Sequence, residues 1–416
     1  MTIPPKPAPL RQGPRPLGLH LASAMLAWLS SRAALPLLSA GWLRWRPEFA
    51  LQGAALSLAL RAAAERNSDR AAVRFAAALD AELIRQAHAF LSGLEAYRHH
   101  PYHRDLPDPP VLWREGTTRL LDYGPPDGTP LLVVPSLINR AYILDLAPGQ
   151  SLLRYLAKAG LRPLLLDWGA PDEEERRFGL GDYILRRLEP AAEIVREETG
   201  AIPQIMGYCM GGLLALALAQ RRPASVASLA LLATPWCFHA ERAEHARLLG
   251  ALAEPIERCA AALGEVPVDL LQALFLSQDP LLALRKFSRF AELDPHSAAA
   301  RGFVALEDWL NDGVPLARKV ARECLRGWYG ADLPGRGLWR VGGTRICPST
   351  IDIPSLVVVP AHDRIVPPAT AAALADALPR ATRLTPPLGH IGMIVARDAP
   401  TAVWAPLAAW LKQQSG

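Results

Sequence analysis

The sequence predicts an α/β protein: a mostly parallel sheet with helices on both faces, an inserted helical cap and a helical N-terminal extension. Three observations predict it. After residue 110, short and almost continuously apolar runs alternate with helical runs, the pattern of strands buried on both faces. Between Trp236 and Pro348 that alternation stops for about a hundred residues of helical pattern, too long for a plain loop. Ahead of residue 110 the chain is Ala-rich, with apolar residues three and four apart.

The elements follow in order. Residues 1–16 are Pro-rich, a composition that does not build a core. Helices are expected over 17–97, where Leu51, Ala54, Leu58 and Leu60, then Phe75, Leu79 and Leu83, recur at helical spacing. Asn67-Ser68-Asp69 reads as a break and a helix N-cap signal. His100 to Pro110 carries Pro101, Pro107, Pro109 and Pro110 and reads as an extended connector. It divides an extension over 1–110 from a sheet domain over 111–416, with the cap inserted at about 237–350. Strands are expected at Thr118–Tyr123, Leu131–Pro135, Pro163–Asp167, Ile202–Met206, Ser228–Ala233, Leu356–Pro360 and Thr382–Thr385. Helices are expected at Ser151–Ala159, Tyr183–Glu198, Gly211–Arg221, Ala369–Leu378 and Pro400–Lys412.

Charge and cysteine usage narrow the function classes. The net charge of +5 resides in residues 1–110, which hold 13 Lys and Arg against 8 Asp and Glu; the remainder is balanced. The basic residues are interleaved with Leu and Ala and not clustered on an aromatic platform, so nucleic acid is not an expected partner. Five scattered cysteines without a CxxC pair point to a reducing, cytoplasmic setting with one reactive thiol, and to no metal site. The apolar stretch Leu17–Leu43 contains His20, Arg32 and Pro36. It has four readings: a signal peptide, a membrane span, an amphipathic helix on a lipid-like surface, supported by its basic flanks and by Trp28, Trp42 and Trp45, and a helix docked on its own protein or a partner.

The sharpest motif is Gly207-Tyr208-Cys209-Met210-Gly211-Gly212. A strand run leads in and a helical run leads out, the layout of a nucleophile elbow with cysteine in place of the usual serine. The strained turn admits only small neighbours, and Gly207 and Gly211 stand two residues either side of Cys209. Backbone N–H groups at the helix start favour a thiolate and a developing oxyanion. Such a nucleophile needs a base held by an acid, in the chain order nucleophile, acid, histidine. Asp363 follows a late strand run and is the expected acid. His390, in the glycine-flanked loop Gly389-His390-Ile391-Gly392, follows the next run and is the expected base; His362 is its rival. The expected oxyanion donors are the N–H groups of Met210 and of Leu137, since Pro135 has none. Trp309, Trp328 and Tyr329 either line an acyl channel or pack in the cap, packing being the commoner role for such residues, and the other four cysteines are read as packing residues.

A cysteine nucleophile forms a thioester close in free energy to an acyl-CoA, so loading is nearly isoenergetic and transfer to a hydroxyl runs downhill. Here the chain resembles the polyhydroxyalkanoate synthase family of the α/β-hydrolase superfamily. The resemblance lies in the elbow, in Val134–Leu146, in Asp167-Trp168-Gly169 with Asp182-Tyr183, and in Val341-Gly342-Gly343. It continues in Asp363-Arg364-Ile365-Val366-Pro367-Pro368 and the His390 loop. It covers roughly residues 111–413, and it implies an α/β-hydrolase fold and polymerisation of 3-hydroxyacyl-CoA with release of CoA. Cys209 would be the acylated nucleophile, His390 the base and Asp363 its partner, with the CoA thioester as substrate and no cofactor. The expected partners are the polyester granule surface, reached through residues 1–46, and a second synthase subunit or a further copy of the chain. The alternative is an esterase, thioesterase or polyester depolymerase on the same three residues; a non-enzymatic granule scaffold is a third reading.

Overall fold

A computed structural model describes residues 10–65 and 69–415. The Pro-rich start over 1–9 and the break at Asn67-Ser68 lie outside the described residues. The chain divides into two compact units: residues 1–102 with 271–311, and residues 103–270 with 312–416. The stretch 237–350, expected as one cap, is thus shared between them.

The second unit holds an eight-stranded sheet: β1 (Val111–Glu115), β2 (Thr118–Asp122), β3 (Thr129–Val134), β4 (Leu161–Asp167), β5 (Gln204–Tyr208), β6 (Leu229–Leu232), β7 (Ser355–Val358) and β8 (Ala381–Leu384). Their spatial order is β1-β2-β4-β3-β5-β6-β7-β8. The strands from β4 to β8 pair in parallel, whereas β2 runs antiparallel to β1 and β4. The central strands are apolar because both faces are covered: Leu131, Leu132, Val133, Ile205, Met206 and Leu229 to Leu232 are buried. Each of the Leu, Ile, Val and Met side chains contributes about 1.5–3 kcal/mol on burial.

Sequence reading and structure differ most in three places. β1 was not expected: its exposed Arg114 and Glu115 interrupt the apolar pattern, as an antiparallel edge strand permits. β5 starts and ends two residues later than Ile202–Met206, because Pro203 offers no N–H and pairing continues through Gly207 and Tyr208. The cap region holds short strand pairs as well as helices, Glu265–Val266 with Leu316–Ala317 and Arg340–Val341 with Thr344–Arg345.

The first unit is helical. Leu17–Ala33, Ala50–Glu65, Asp69–His99, Leu282–Phe290 and Ala298–Asn311 are its longer helices. Its core gathers Ala24, Phe90, Leu94, Tyr97, Phe287, Phe290 and Val304, with Leu17 and Trp28 against it. Arg11 forms an ion pair with Asp308, which also accepts from the Tyr97 hydroxyl. The helix Leu17–Ala33 therefore docks one face on its own unit. Apolar residues nevertheless run round its circumference, and Met25, Leu26 and Leu29 are exposed. Of the four readings, docking on its own protein is the one the packing fits, and the helix does not have the single apolar stripe of the surface-helix reading. Among the described residues no helix is long and apolar enough to cross a membrane.

Candidate active site

The register of the sheet brings one set of loops to one edge. Val134 follows the level of Gly207, Tyr208 that of Leu232, Leu232 that of Val358, and Val358 that of Leu384. The segments leaving these ends are Pro135–Leu137, Cys209, Ala233-Thr234, Val359–Asp363 and Thr385–His390. Their backbones continue the ladder: Cys209 N–H donates to Leu232, Ala233 to Val358, Val359 to Leu384, and His362 to Leu388. The acid loop and the histidine loop are therefore fixed against each other before any side chain interacts.

Cys209 has φ 54° and ψ −124°, a strained conformation for a residue with a Cβ, and the helix Met210–Arg221 starts directly after it. The glycines make that turn possible through close approach. A Cβ on Gly211 would stand 2.0 Å from the Val134 carbonyl oxygen and 2.5 Å from that of Pro135; one on Gly207 would stand 2.4 Å from the Cα of Gly212. Gly212 carries a similar demand, 1.8 Å from the Thr234 hydroxyl oxygen, which the sequence reading left out of the site. The Gly211 contact also sets the start of the helix against the loop that carries Leu137. Ser136 accepts the Ile138 N–H in that loop, and Trp168 Nε1–H donates to the Pro135 carbonyl. Met210 is the first helical residue, so its N–H has no carbonyl of its own helix behind it.

Asp363 uses both carboxylate oxygens. Oδ1 accepts the N–H groups of Ile365 and Val366, each at 2.8 Å, and Oδ2 lies 2.7 Å from Nδ1 of His390. The turn-capping role and the histidine-holding role are filled by one buried side chain. The rival His362 is exposed, on the outer side of the same loop. His390 is buried, which disfavours its charged form, but the Cys209 charge, hydrogen bonds to Asp363 and Cys209, and the Asp363 charge together push it up to about 10. The three residues expected from sequence are thus brought together, His390 hydrogen-bonding to Asp363 and to Cys209.

Sequence reasoning missed Tyr208. Its ring lies 5.2 Å from the His390 ring with 31° between planes, and its hydroxyl donates to the His390 carbonyl at 3.2 Å. The partner lies 182 positions away, so only the fold reveals the pair. Burial, then the charges of Cys209 and Asp363, push the Tyr208 hydroxyl well up. Cys324 and Tyr329, on the cap segment Glu323–Gly330, are pushed up first by burial, then at Cys324 by the Glu323 and Cys209 charges and at Tyr329 by those of Cys209 and Cys324. Trp328 is buried against Phe238 and Trp339, and Trp309 is buried in the first unit, so both pack as core. All five cysteines are free, and Cys259 is exposed, contrary to the packing role expected of it. Among the described residues no cluster of three His, Cys, Asp or Glu stands where a metal ion would be held.

The sequence model of the alpha/beta hydrolase fold family matches residues 129–396. The poly(3-hydroxyalkanoate) polymerase subunit PhaC of Synechocystis is 31% identical over 299 residues, covering 68% of this chain and 78% of that one. The same-named protein of Thiocystis violacea is 30% identical over 297 residues, covering 70% and 82%. That of Haloferax mediterranei is 28% identical over 313 residues, covering 73% of this chain but 64% of its own length, less than two thirds. With the elbow, the sheet order and these relatives together, the chain belongs to the α/β-hydrolase superfamily and, within it, to the poly(3-hydroxyalkanoate) polymerase family.

Proposed function

We propose that this chain is an acyltransferase that joins 3-hydroxyacyl units from their CoA thioesters into a polyester, with Cys209 carrying the acyl group. The observation that carries the reading is the His390–Asp363 pair at 2.7 Å, facing a strained Cys209 in a chain of this family. The Cys209 thiolate attacks the thioester carbonyl, and the oxyanion takes hydrogen bonds from the Met210 and Leu137 N–H groups. The carbon–sulfur bond to CoA breaks, and CoA leaves with a proton from His390. The acceptor hydroxyl then gives its proton to His390 and attacks the Cys209 thioester. An oxygen ester forms and the Cys209 thiolate is released. Asp363 keeps Nδ1–H oriented and offsets the charge on the imidazolium throughout.

The site residues Gly207 and Gly211 serve as the elbow's small neighbours. The exposed apolar residues of 17–46, with Arg32, Arg44 and Arg46 nearby in sequence, serve as a contact for the polyester granule surface. Assembly with a second synthase subunit, or with another copy, belongs to the same reading.

The test is CoA release from 3-hydroxybutyryl-CoA by purified protein, alone and with a second subunit added, with the products separated into polymer and free acid. Polymer in proportion to CoA is the expected result. Free 3-hydroxyacid in proportion to CoA, without polymer, would make the chain a thioesterase on the same three residues.

A further inference from the structure

We propose that Tyr208 is a positioning residue for His390, holding the base by ring contact and by its carbonyl; the inference rests on the Cys209–His390 reading above. Three observations converge on it. Asp363 holds the imidazole at Nδ1, on one edge, and leaves the faces of the ring to other contacts. The Tyr208 ring packs beside the imidazole, the centroids 5.2 Å apart and the planes tilted by 31°. The Tyr208 hydroxyl donates to the carbonyl of the same histidine at 3.2 Å, so backbone and ring of His390 are held by one side chain.

The position suits the task. Tyr208 ends β5 and its neighbour is Cys209, so the residue that steadies the base is joined by one peptide bond to the nucleophile. The charged groups that face it are Cys209 and Asp363, with His390 itself across the ring. The tyrosine is buried, and its hydroxyl has no use for solvent. Displacement of a base by about 1 Å can cost roughly a hundredfold in rate. A ring that steadies His390 therefore acts on kcat and not on substrate affinity.

The experiment compares the parent with Tyr208→Phe and Tyr208→Leu. It follows two readouts: kcat and KM for CoA release, and the pH dependence of iodoacetamide labelling at the Cys209 peptide, read by mass spectrometry. Tyr208→Phe keeps the ring and should lower kcat about threefold with KM unchanged. Tyr208→Leu removes the ring and should lower kcat about a hundredfold with KM unchanged, and should slow iodoacetamide labelling of Cys209. Circular dichroism checks that both variants fold, and the conservative Phe variant carries the test if the Leu variant does not. Equal kcat and equal labelling profiles in parent and variants would overturn the Tyr208 role alone. A parent Cys209 that labels no faster at neutral pH than the other four cysteines would overturn the underlying Cys209–His390 reading.

Discussion

Nδ1 of His390 lies 2.7 Å from Oδ2 of Asp363, while the other oxygen of the same carboxylate accepts the N–H groups of Ile365 and Val366. One aspartate thus shapes the loop after β7 and orients the imidazole. Asp363→Asn tests the second task with little disturbance of the first, because an amide oxygen can still accept from the two N–H groups. In this variant kcat for CoA release should fall by roughly a thousandfold with KM within a few-fold of the parent. Retention of kcat within threefold would show that His390 does not depend on this partner.

The close approach at Gly211 gives a second prediction. A Cβ there would meet the Val134 carbonyl oxygen at 2.0 Å, and backbone on both sides has little room to give. Gly211→Ala should destabilise the protein by about 1–3 kcal/mol, measured by urea denaturation. It should also slow CoA release, because the Leu137 loop would be pushed away from Met210. An alanine variant with parent stability and parent rate would contradict the packing of helix start against loop.

The pH dependence follows from His390. Its folded-state value, about 10, lies above the unfolded value near 6.5. A group raised in this way stabilises the fold in full below pH 6.5, and that contribution is lost as pH rises through about 10. The stability gap between the parent and His390→Gln should therefore be largest below pH 6.5 and close by about pH 10. In Cys209→Ala the thiolate's share disappears, so the histidine should titrate at lower pH, read from its ring proton resonance. A titration unchanged by Cys209→Ala would mean that thiol and imidazole do not interact.

Residues 17–46 give a fourth prediction. Deleting them would remove Leu17, Ala24 and Trp28 from the core of the first unit, so deletion mixes docking with folding. Met25, Leu26 and Leu29 are exposed and can be changed alone. Their combined change to Glu should lower binding to polyester granules or anionic vesicles at least about tenfold in a sedimentation assay. Thermal stability should be held. Unchanged sedimentation would remove this face from the granule contact.

Much of this was legible in sequence because it is local. Buried parallel strands read as apolar runs, and the elbow glycines, Cys209, Asp363 and His390 each stand next to the strand end that positions them. What was not legible is non-local. β1 pairs on one side only, so Arg114 and Glu115 hide it. The helices Leu282–Phe290 and Ala298–Asn311 join residues 1–102 through a shared core in which Phe287 meets Phe90, which no run length discloses. The contact of Tyr208 with His390 likewise depends on how β5 and the loop after β8 meet in space.

The central claim is that Cys209 holds the acyl chain as a thioester. Protein incubated briefly with 3-hydroxybutyryl-CoA, quenched in acid and digested, should carry hydroxyacyl mass on the peptide containing Cys209. The label should be removed by neutral hydroxylamine and absent in Cys209→Ala. CoA release with acyl mass on another residue, or with no acyl-protein while Cys209→Ala still makes polymer, would contradict the account.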